Sequence, residues 1–232
     1  MPVDDRNGRV VAVLPAYNLE ASIAGIVERT KPHVDRVIVV TDGSKDDTAG
    51  AARRAGAEVP EPRDLRGKGR ALKHGIEAAG ATGAEFVVLM DADGQHLPEE
   101  IPVLLAPLLD GRADAVIGSR MLGTLRTSRL NVFGNAVLKV ISFCVTWRWM
   151  TDTESGYRAF RTRELCSLPL VAPGYEIESE LLLRALHRRL RIVEVPIHVP
   201  FAVPGVTPWD GIKVAWFKIR FALRLRLGLE PV

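Results

Sequence analysis

The sequence predicts an α/β fold, with a mostly parallel central sheet flanked by helices, in a single domain that ends in a basic helix. Two observations predict it. Short β-branched runs alternate with helix-like segments through the first half, and these runs are apolar throughout, as in strands buried on both faces. Polar motifs then follow three of those runs directly, at the strand ends where open α/β sheets bind ligands. The chain has 232 residues, 47% of them hydrophobic and 25% charged. That length can bury a core without disulfide or metal staples.

Val10 to Leu14 reads as the first strand, ended by Pro15. Ser22 to Thr30 has helical spacing, with Ile23, Ile26 and Val27 on one side. Val37 to Val40 is a second strand, Thr48 to Ala55 an alanine-rich helix, and Ala57 to Val59 a short third strand. Ala71 to Ala79 is a helix and Phe86 to Met90 a strand. Pro98 opens a helix at a position where its missing N–H is no loss, and Val116 and Ile117 begin the next strand.

The second half is less regular. Asn131 to Trp149 is apolar with sparse charges, and Thr151 to Phe160 is polar and then β-like. Ile177 to Arg188 reads as a helix and Ile192 to Val195 as a strand. Pro196, Pro200, Pro204 and Pro208 mark a loop before a basic, aromatic-rich helix from about Gly211. The expected organisation is one domain over 1–210, with functional halves at about 1–120 and about 121–210, and then the amphipathic helix 211–232.

The net charge of +3 does not point to nucleic acid. The excess sits in the tail, where Lys213, Lys218, Arg220, Arg224 and Arg226 face Glu230 alone. The N-terminus lacks a basic-then-apolar signal, and no apolar run approaches the ~20 residues that span a bilayer. The expected location is the cytoplasm, with peripheral contact at the cytoplasmic face of the membrane through the last helix. The alternative for that helix is packing on the core with its cations snorkelling. Val140 to Trp149 is either a second interfacial contact or core. Cys144 and Cys166 have no metal spacing and read as core thiols.

Asp91 and Asp93 follow a buried strand and, in extended geometry, point the same way; Gln95 continues that parity with a neutral oxygen. Mg²⁺ binds one or two carboxylates together with substrate phosphates. Alone, Asp-x-Asp-Gly is more often a solvated turn. The company of Pro15-Ala16-Tyr17-Asn18 and Asp42-Gly43-Ser44 at two other strand ends favours a site. Gly67-Lys68-Gly69-Arg70 precedes a helix, so its cations can face a phosphate near the helix start.

The ordered set PAYN, VVTDGSKDDT, GKGRAL, LMDADGQH, GSR at 118–120, DTESGYRAF at 152–160 and GYEIESELL at 174–182 resembles family 2 glycosyltransferases of the Rossmann-like GT-A fold. It is most similar to the dolichyl-phosphate mannosyltransferase and polyprenyl-phosphate glycosyltransferase branch. The resemblance implies that Pro15, Ala16, Tyr17, Asp42, Lys68, Asp91, Ala92 and Asp93 bind a nucleotide sugar, and that Asp93 and Gln95 hold Mg²⁺ or Mn²⁺. It places Arg120, Ser155 and Arg158 towards the acceptor phosphate or the leaving diphosphate. On their own, Arg120 and Arg158 read equally as surface ion pairs. Departures from the pattern are Leu19 where the family often has Glu, Thr41 for the first Asp of DDGS, and Glu154 for the usual Gln or Thr.

The implied activity is inverting, metal-dependent transfer from a nucleoside-diphosphate sugar, of GDP-mannose or UDP-glucose type, to a polyprenyl or dolichyl phosphate. In that reading Asp93, Arg120, Arg158, Asp152 and Glu154 are the catalytic candidates. A phosphate acceptor is already anionic, whereas a soluble or cell-wall hydroxyl acceptor needs a base, for which Asp152 and Glu154 are the candidates. A third reading is a non-catalytic protein that binds nucleotide sugars or scaffolds at a membrane.

Overall fold

The computed structural model describes residues 9–41, 43–61, 67–123, 140, 143–144, 147–200 and 208–229, except the side chains of 208–211 and 226. Six strands are β1 (Val10–Ala16), β2 (Arg36–Thr41), β3 (Phe86–Leu89), β4 (Ala115–Ser119), β5 (Arg158–Arg161) and β6 (Ile192–Pro196). The helices are α1 (Ile23–Thr30), α2 (Thr48–Arg54), α3 (Lys68–Ala81), α4 (Ile101–Leu109), α5 (Thr162–Cys166), α6 (Ile177–His187) and α7 (Pro208–Arg226).

The strands form one sheet in the order β2-β1-β3-β5-β4-β6. The pairs β1–β2, β1–β3 and β4–β6 are parallel, and β5 runs antiparallel to both β3 and β4. The expected mostly parallel α/β sheet is therefore present. Alternate residues of β1 face opposite cores. Val10, Ala12 and Leu14 pack with α1, α2 and α4, and Val11 and Val13 pack with α3, α5 and α6. Burial on both sides explains why the strands read as unbroken apolar runs.

The reversal of β5 places the site. A parallel strand delivers the loop after it to the carboxyl rim. β5 delivers the loop before it, so residues 151–157 reach the rim where β1, β3 and β4 end.

Several boundaries differ from expectation for physical reasons. β1 continues through Pro15, because the β3 ladder ends at Val13 and leaves Pro15 paired only with β2. The strand expected at Ala57–Val59 is a single bridge from Glu58 to Ile38. α3 begins at Lys68, with Gly67 in the left-handed region at φ 114°. The last helix starts at Pro208 rather than Gly211. Cys144 and Cys166 are exposed thiols instead of core ones, Cys166 lying at the surface end of α5.

Candidate active site

The ends of β1 and β2 are joined by hydrogen bonds. Asn18, at φ 52°, accepts from the Lys45 N–H at 2.9 Å and donates its own N–H to Ser44 Oγ at 3.0 Å. The Leu19 N–H donates to Thr48 Oγ1 at 2.8 Å, and Glu20 accepts from the Asp47 N–H at 3.1 Å. These bonds fix the backbone that leaves β1 after Ala16 and leave the Tyr17 ring exposed. An open cavity of about 580 Å³ lies beside the joined loops, between Asn18–Ser22 and Asp46 and Arg54; Asp91, Lys68 and Arg120 do not line it. Asp42 lies outside the described residues.

Beyond β3, Asp91 meets Lys68 at 2.7 Å, and Lys68 also meets Glu178 of α6 at 2.6 Å. Burial opposes the charge on Lys68, yet the two carboxylates raise its pKa above the ordinary lysine value. Burial likewise works against ionised Asp91, but Lys68 holds its pKa low. Burial raises Glu178, so Asp91 carries the negative charge and Glu178 takes up a proton first. Asp91 also sits against Gly156, where an added Cβ would come within 2.5 Å of its carboxylate.

The glycines around Lys68 make room for neighbouring backbone. The Gly69 N–H donates to the Pro173 carbonyl at 3.0 Å, and a Cβ on Gly69 would lie 2.2 Å from the Ala172 oxygen. They admit the backbone of 172–173, which leads into α6 and brings Glu178 to Lys68.

Asp93 is exposed, and one of its oxygens accepts from the Gln95 N–H at 3.0 Å. Surrounding protein, and then the Asp91 charge, push its carboxyl above the ordinary aspartate value. A divalent cation would relieve that like-charge pressure, so the donor chemistry fits a hard metal ion. Ala92 is buried. His96, unassigned in the sequence, is buried, accepts the Asp91 N–H at Nδ1 and stacks on Tyr157 with ring centroids 4.8 Å apart. Burial lowers its pKa to about 4, leaving it neutral at pH 7.

The 151–157 loop supplies the other side. Asp152 accepts from Arg120 Nε at 2.6 Å and Nη2 at 2.8 Å, a bidentate pair, and from the Arg120 N–H at 3.1 Å. Burial opposes this charge, but Arg120 holds the Asp152 carboxyl below its usual range. Glu194 of β6 accepts from the N–H groups of both Thr151 and Asp152. Glu154 accepts from Ser179 Oγ at 3.0 Å and pairs with Lys218 of α7.

Neither arginine is a simple surface ion pair. Arg158 is 1% exposed and donates to the carbonyls of Ser155 at 2.8 Å and Thr153 at 2.9 Å, while Nη1 has no hydrogen-bond partner among the described residues. It tethers the loop from beneath. Ser155 is buried, with its Oγ turned to the Tyr157 N–H.

The structure thus gathers Lys68, Asp91, Arg120, Asp152, Glu154 and Arg158 on one rim, close enough that Asp91 responds to Arg120, and Arg158 to Asp91, Asp152, Glu154 and Glu178. Glu178, Ser179, Glu194 and Lys218 were not assigned from sequence. The acids of GYEIESELL were the available signal for Glu178, but their partners lie on distant segments.

Residues 11–162 match the family described as Glycosyl transferase family 2. The chain is 30% identical to the UDP-N-acetylglucosamine–dolichyl-phosphate N-acetylglucosaminyltransferase of Methanococcus voltae, over 94% of this chain and 96% of that protein. It is 32% identical to the polyprenol monophosphomannose synthase of Mycolicibacterium smegmatis, over 94% of this chain and 89% of that one. Glucosyl-3-phosphoglycerate synthase from Mycobacterium tuberculosis, solved with Mn²⁺, UDP and glucosyl-3-phosphoglycerate, superposes with a TM-score of 0.73 at 29% identity, covering 97% of this chain and 82% of that one. With strand-end acids on a mixed α/β sheet, and the family match across its first five strands, this chain belongs to glycosyltransferase family 2 and has the GT-A fold.

Proposed function

We propose that this glycosyltransferase moves a sugar, with inversion, from a nucleoside-diphosphate sugar to a polyprenyl phosphate. The observation that carries the acceptor class is the state of the two candidate bases. Asp152 is held bidentately by Arg120, and Glu154 is held by Lys218 and Ser179. A hydroxyl acceptor needs one of them as a proton acceptor, whereas a phosphate does not. The relatives named for dolichyl and polyprenol phosphates support the same reading.

In this proposal the donor occupies about 1–120 and the acceptor about 121–210. Pro15, Ala16, Tyr17, Asp42 and Ala92 line the nucleoside, with Asp91 towards the ribose. Asp93 and Gln95 hold Mg²⁺ or Mn²⁺. When bound, the ion neutralises charge that develops on the departing diphosphate. Hard ions of this kind take one or two carboxylates together with substrate phosphates, so oxygens of the bound nucleotide would supply the remaining ligands. Lys68 keeps Asp91 ionised and oriented. Arg120 and Arg158 are the acceptor-side cations, Arg120 from the rim and Arg158 from beneath the loop that contains Ser155.

The membrane surface is the proposed partner of α7. No helix among the described residues is long and apolar enough to cross a membrane. α7 nevertheless exposes Trp216 by 66%, together with Ile219, Leu223, Lys213 and Arg220. Trp147 and Trp149 are 76% and 63% exposed beside Phe143. Exposed aromatic, aliphatic and cationic side chains suit an interface with anionic lipid.

The test is transfer of label from GDP-mannose, UDP-glucose and UDP-N-acetylglucosamine to a polyprenyl phosphate, with Mg²⁺ or Mn²⁺. Lipid-linked sugar is the expected product. A second reading, favoured by the likeness to glucosyl-3-phosphoglycerate synthase, is a small phosphorylated hydroxyl acceptor. Turnover with phosphoglyceric acid, and none with the lipid, would select it.

A further inference from the structure

Lys218 lies at the centre of the buried face of α7. Val214, Phe221, Ala222 and Leu225 are buried around it at helical spacing, and Lys218 itself is 1% exposed. An ammonium in such a place is costly unless it is paired, because it loses its hydration. Its Nζ pairs with Glu154 and donates to Thr153 Oγ1 at 3.0 Å. Phe221 and Leu225 meanwhile pack on Leu183 of α6, and the Arg184 guanidinium lies 4.9 Å from the Phe221 ring.

Each residue from 152 to 155 is thereby engaged. Asp152 holds Arg120, the carbonyls of Thr153 and Ser155 hold Arg158, and Glu154 takes Lys218 on one side and Ser179 on the other. Through Lys218 the C-terminal helix enters the acceptor side of the site. Ser179 is the immediate neighbour of Glu178, which holds Lys68 on the donor side, so α6 touches both sides through consecutive residues.

We infer that Lys218 is a positioning residue for the transfer reaction: by fixing Glu154 it holds the 152–155 loop and its partner Arg120 in register, so that transfer requires α7 to be seated on α6. The inference rests on the proposed reading of this loop as the acceptor side. It makes Glu154 a charge partner rather than a base, and it makes the helix proposed to meet the membrane a structural component of the site.

The experiment compares Lys218→Met, Glu154→Gln and the neutral pair Glu154→Gln/Lys218→Met in the full chain with Mn²⁺. Three quantities are read: affinity for UDP-glucose and GDP-mannose, hydrogen exchange in the 150–158 peptide, and kcat and KM for transfer to undecaprenyl phosphate in detergent. In Lys218→Met, donor affinity should stay within about twofold, the peptide should lose protection, and kcat should fall by about tenfold or more. The neutral pair should restore protection and bring kcat to within about threefold of the unsubstituted enzyme.

Unchanged exchange and turnover in Lys218→Met would overturn the inference. So would a neutral pair that binds donor but transfers no better than Glu154→Gln, since that result makes Glu154 a base. If Lys218→Met does not fold, the neutral pair alone decides between these outcomes. Exchange and donor affinity do not involve the acceptor. Failure of the lipid-phosphate reading, seen as no transfer by the unsubstituted enzyme, is thus told apart from failure of this one.

Discussion

The proposed donor and acceptor sides of the site are each held by a largely buried lysine, but they are built differently. Lys68 starts α3, beside the strand ends, and neutralises two carboxylates, Asp91 and Glu178. Lys218 comes from the middle of the last helix and meets one carboxylate and one hydroxyl. On the proposed donor side, Asp91 and Asp93 take their places directly from the end of β3. On the acceptor side, the 151–157 loop is assembled from contacts with β4, β6, α6 and α7. Substitution of the exposed Asp93 should therefore separate chemistry from stability, whereas changes at the buried pairs of Lys68 and of the 151–157 loop should mix the two.

The sharpest break of this comparison is Asp93→Ala. The residue is exposed at the rim, and on the proposed metal role the change should lower turnover by about 10³-fold, as expected for loss of a metal-ion contact worth several kcal/mol. Stability should move by less than about 0.5 kcal/mol. Parallel kinetics and thermal melts check both halves, and a large melting shift would place Asp93 in the framework instead.

Lys68→Met comes next. It leaves Asp91 and Glu178 without their shared cation, and breaking such a pair should destabilise by about 3–5 kcal/mol. Urea midpoints should show that adding Glu178→Gln recovers part of the loss. No recovery would mean that Lys68 acts through packing alone.

The third prediction concerns pH. His96 is buried neutral with a pKa of about 4, against an ordinary value of 6.5. The unfolded chain thus binds the proton first, so the His96 contribution is fully present above pH 6.5 and is lost as pH falls towards 4. The loss amounts to about 3 kcal/mol across that window. Melts at pH 7 and pH 5 should differ less in His96→Asn, which keeps an acceptor for the Asp91 N–H. An equal pH slope in the variant would rule out His96 as its source.

The smallest effect on the fold is expected from Trp216→Ala. Its exposed ring should contribute less than about 0.5 kcal/mol to stability, yet its loss should weaken binding to phosphatidylserine-containing vesicles. Sedimentation with those vesicles is the measurement; unchanged binding would remove α7 from the membrane contact.

The position of Asp91 and Asp93 just beyond β3 was legible in the sequence because it is local. A buried strand followed by Asp-x-Asp says where the strand stops, but the chain turns at 92–93, so the expected same-side parity of an extended run does not carry through to Gln95. The acceptor side was legible in its residues but not in their pairing. Asp152 and Glu154 could have met Arg158 or Arg161; they meet Arg120 and Lys218 instead. Nothing in the spacing of 152–161 reveals a partner on the last helix. Lys218 itself read as one cation of the basic tail, because helical periodicity records which side a residue occupies and not whether a carboxylate waits there. The antiparallel sense of β5 was equally hidden, since four buried residues look alike in either direction.

That reversed strand has a consequence for how the chain can vary. The polypeptide leaves the sheet at Ser119 and returns at Arg158, on adjacent antiparallel strands, with Ile117 registered on Arg158. The whole excursion between them departs from and rejoins the same edge of the molecule. Its return, at 151–157, is received by Glu194, Ser179 and Lys218. Under the proposed reading, grafting the corresponding stretch between relatives tests whether it carries the choice of acceptor.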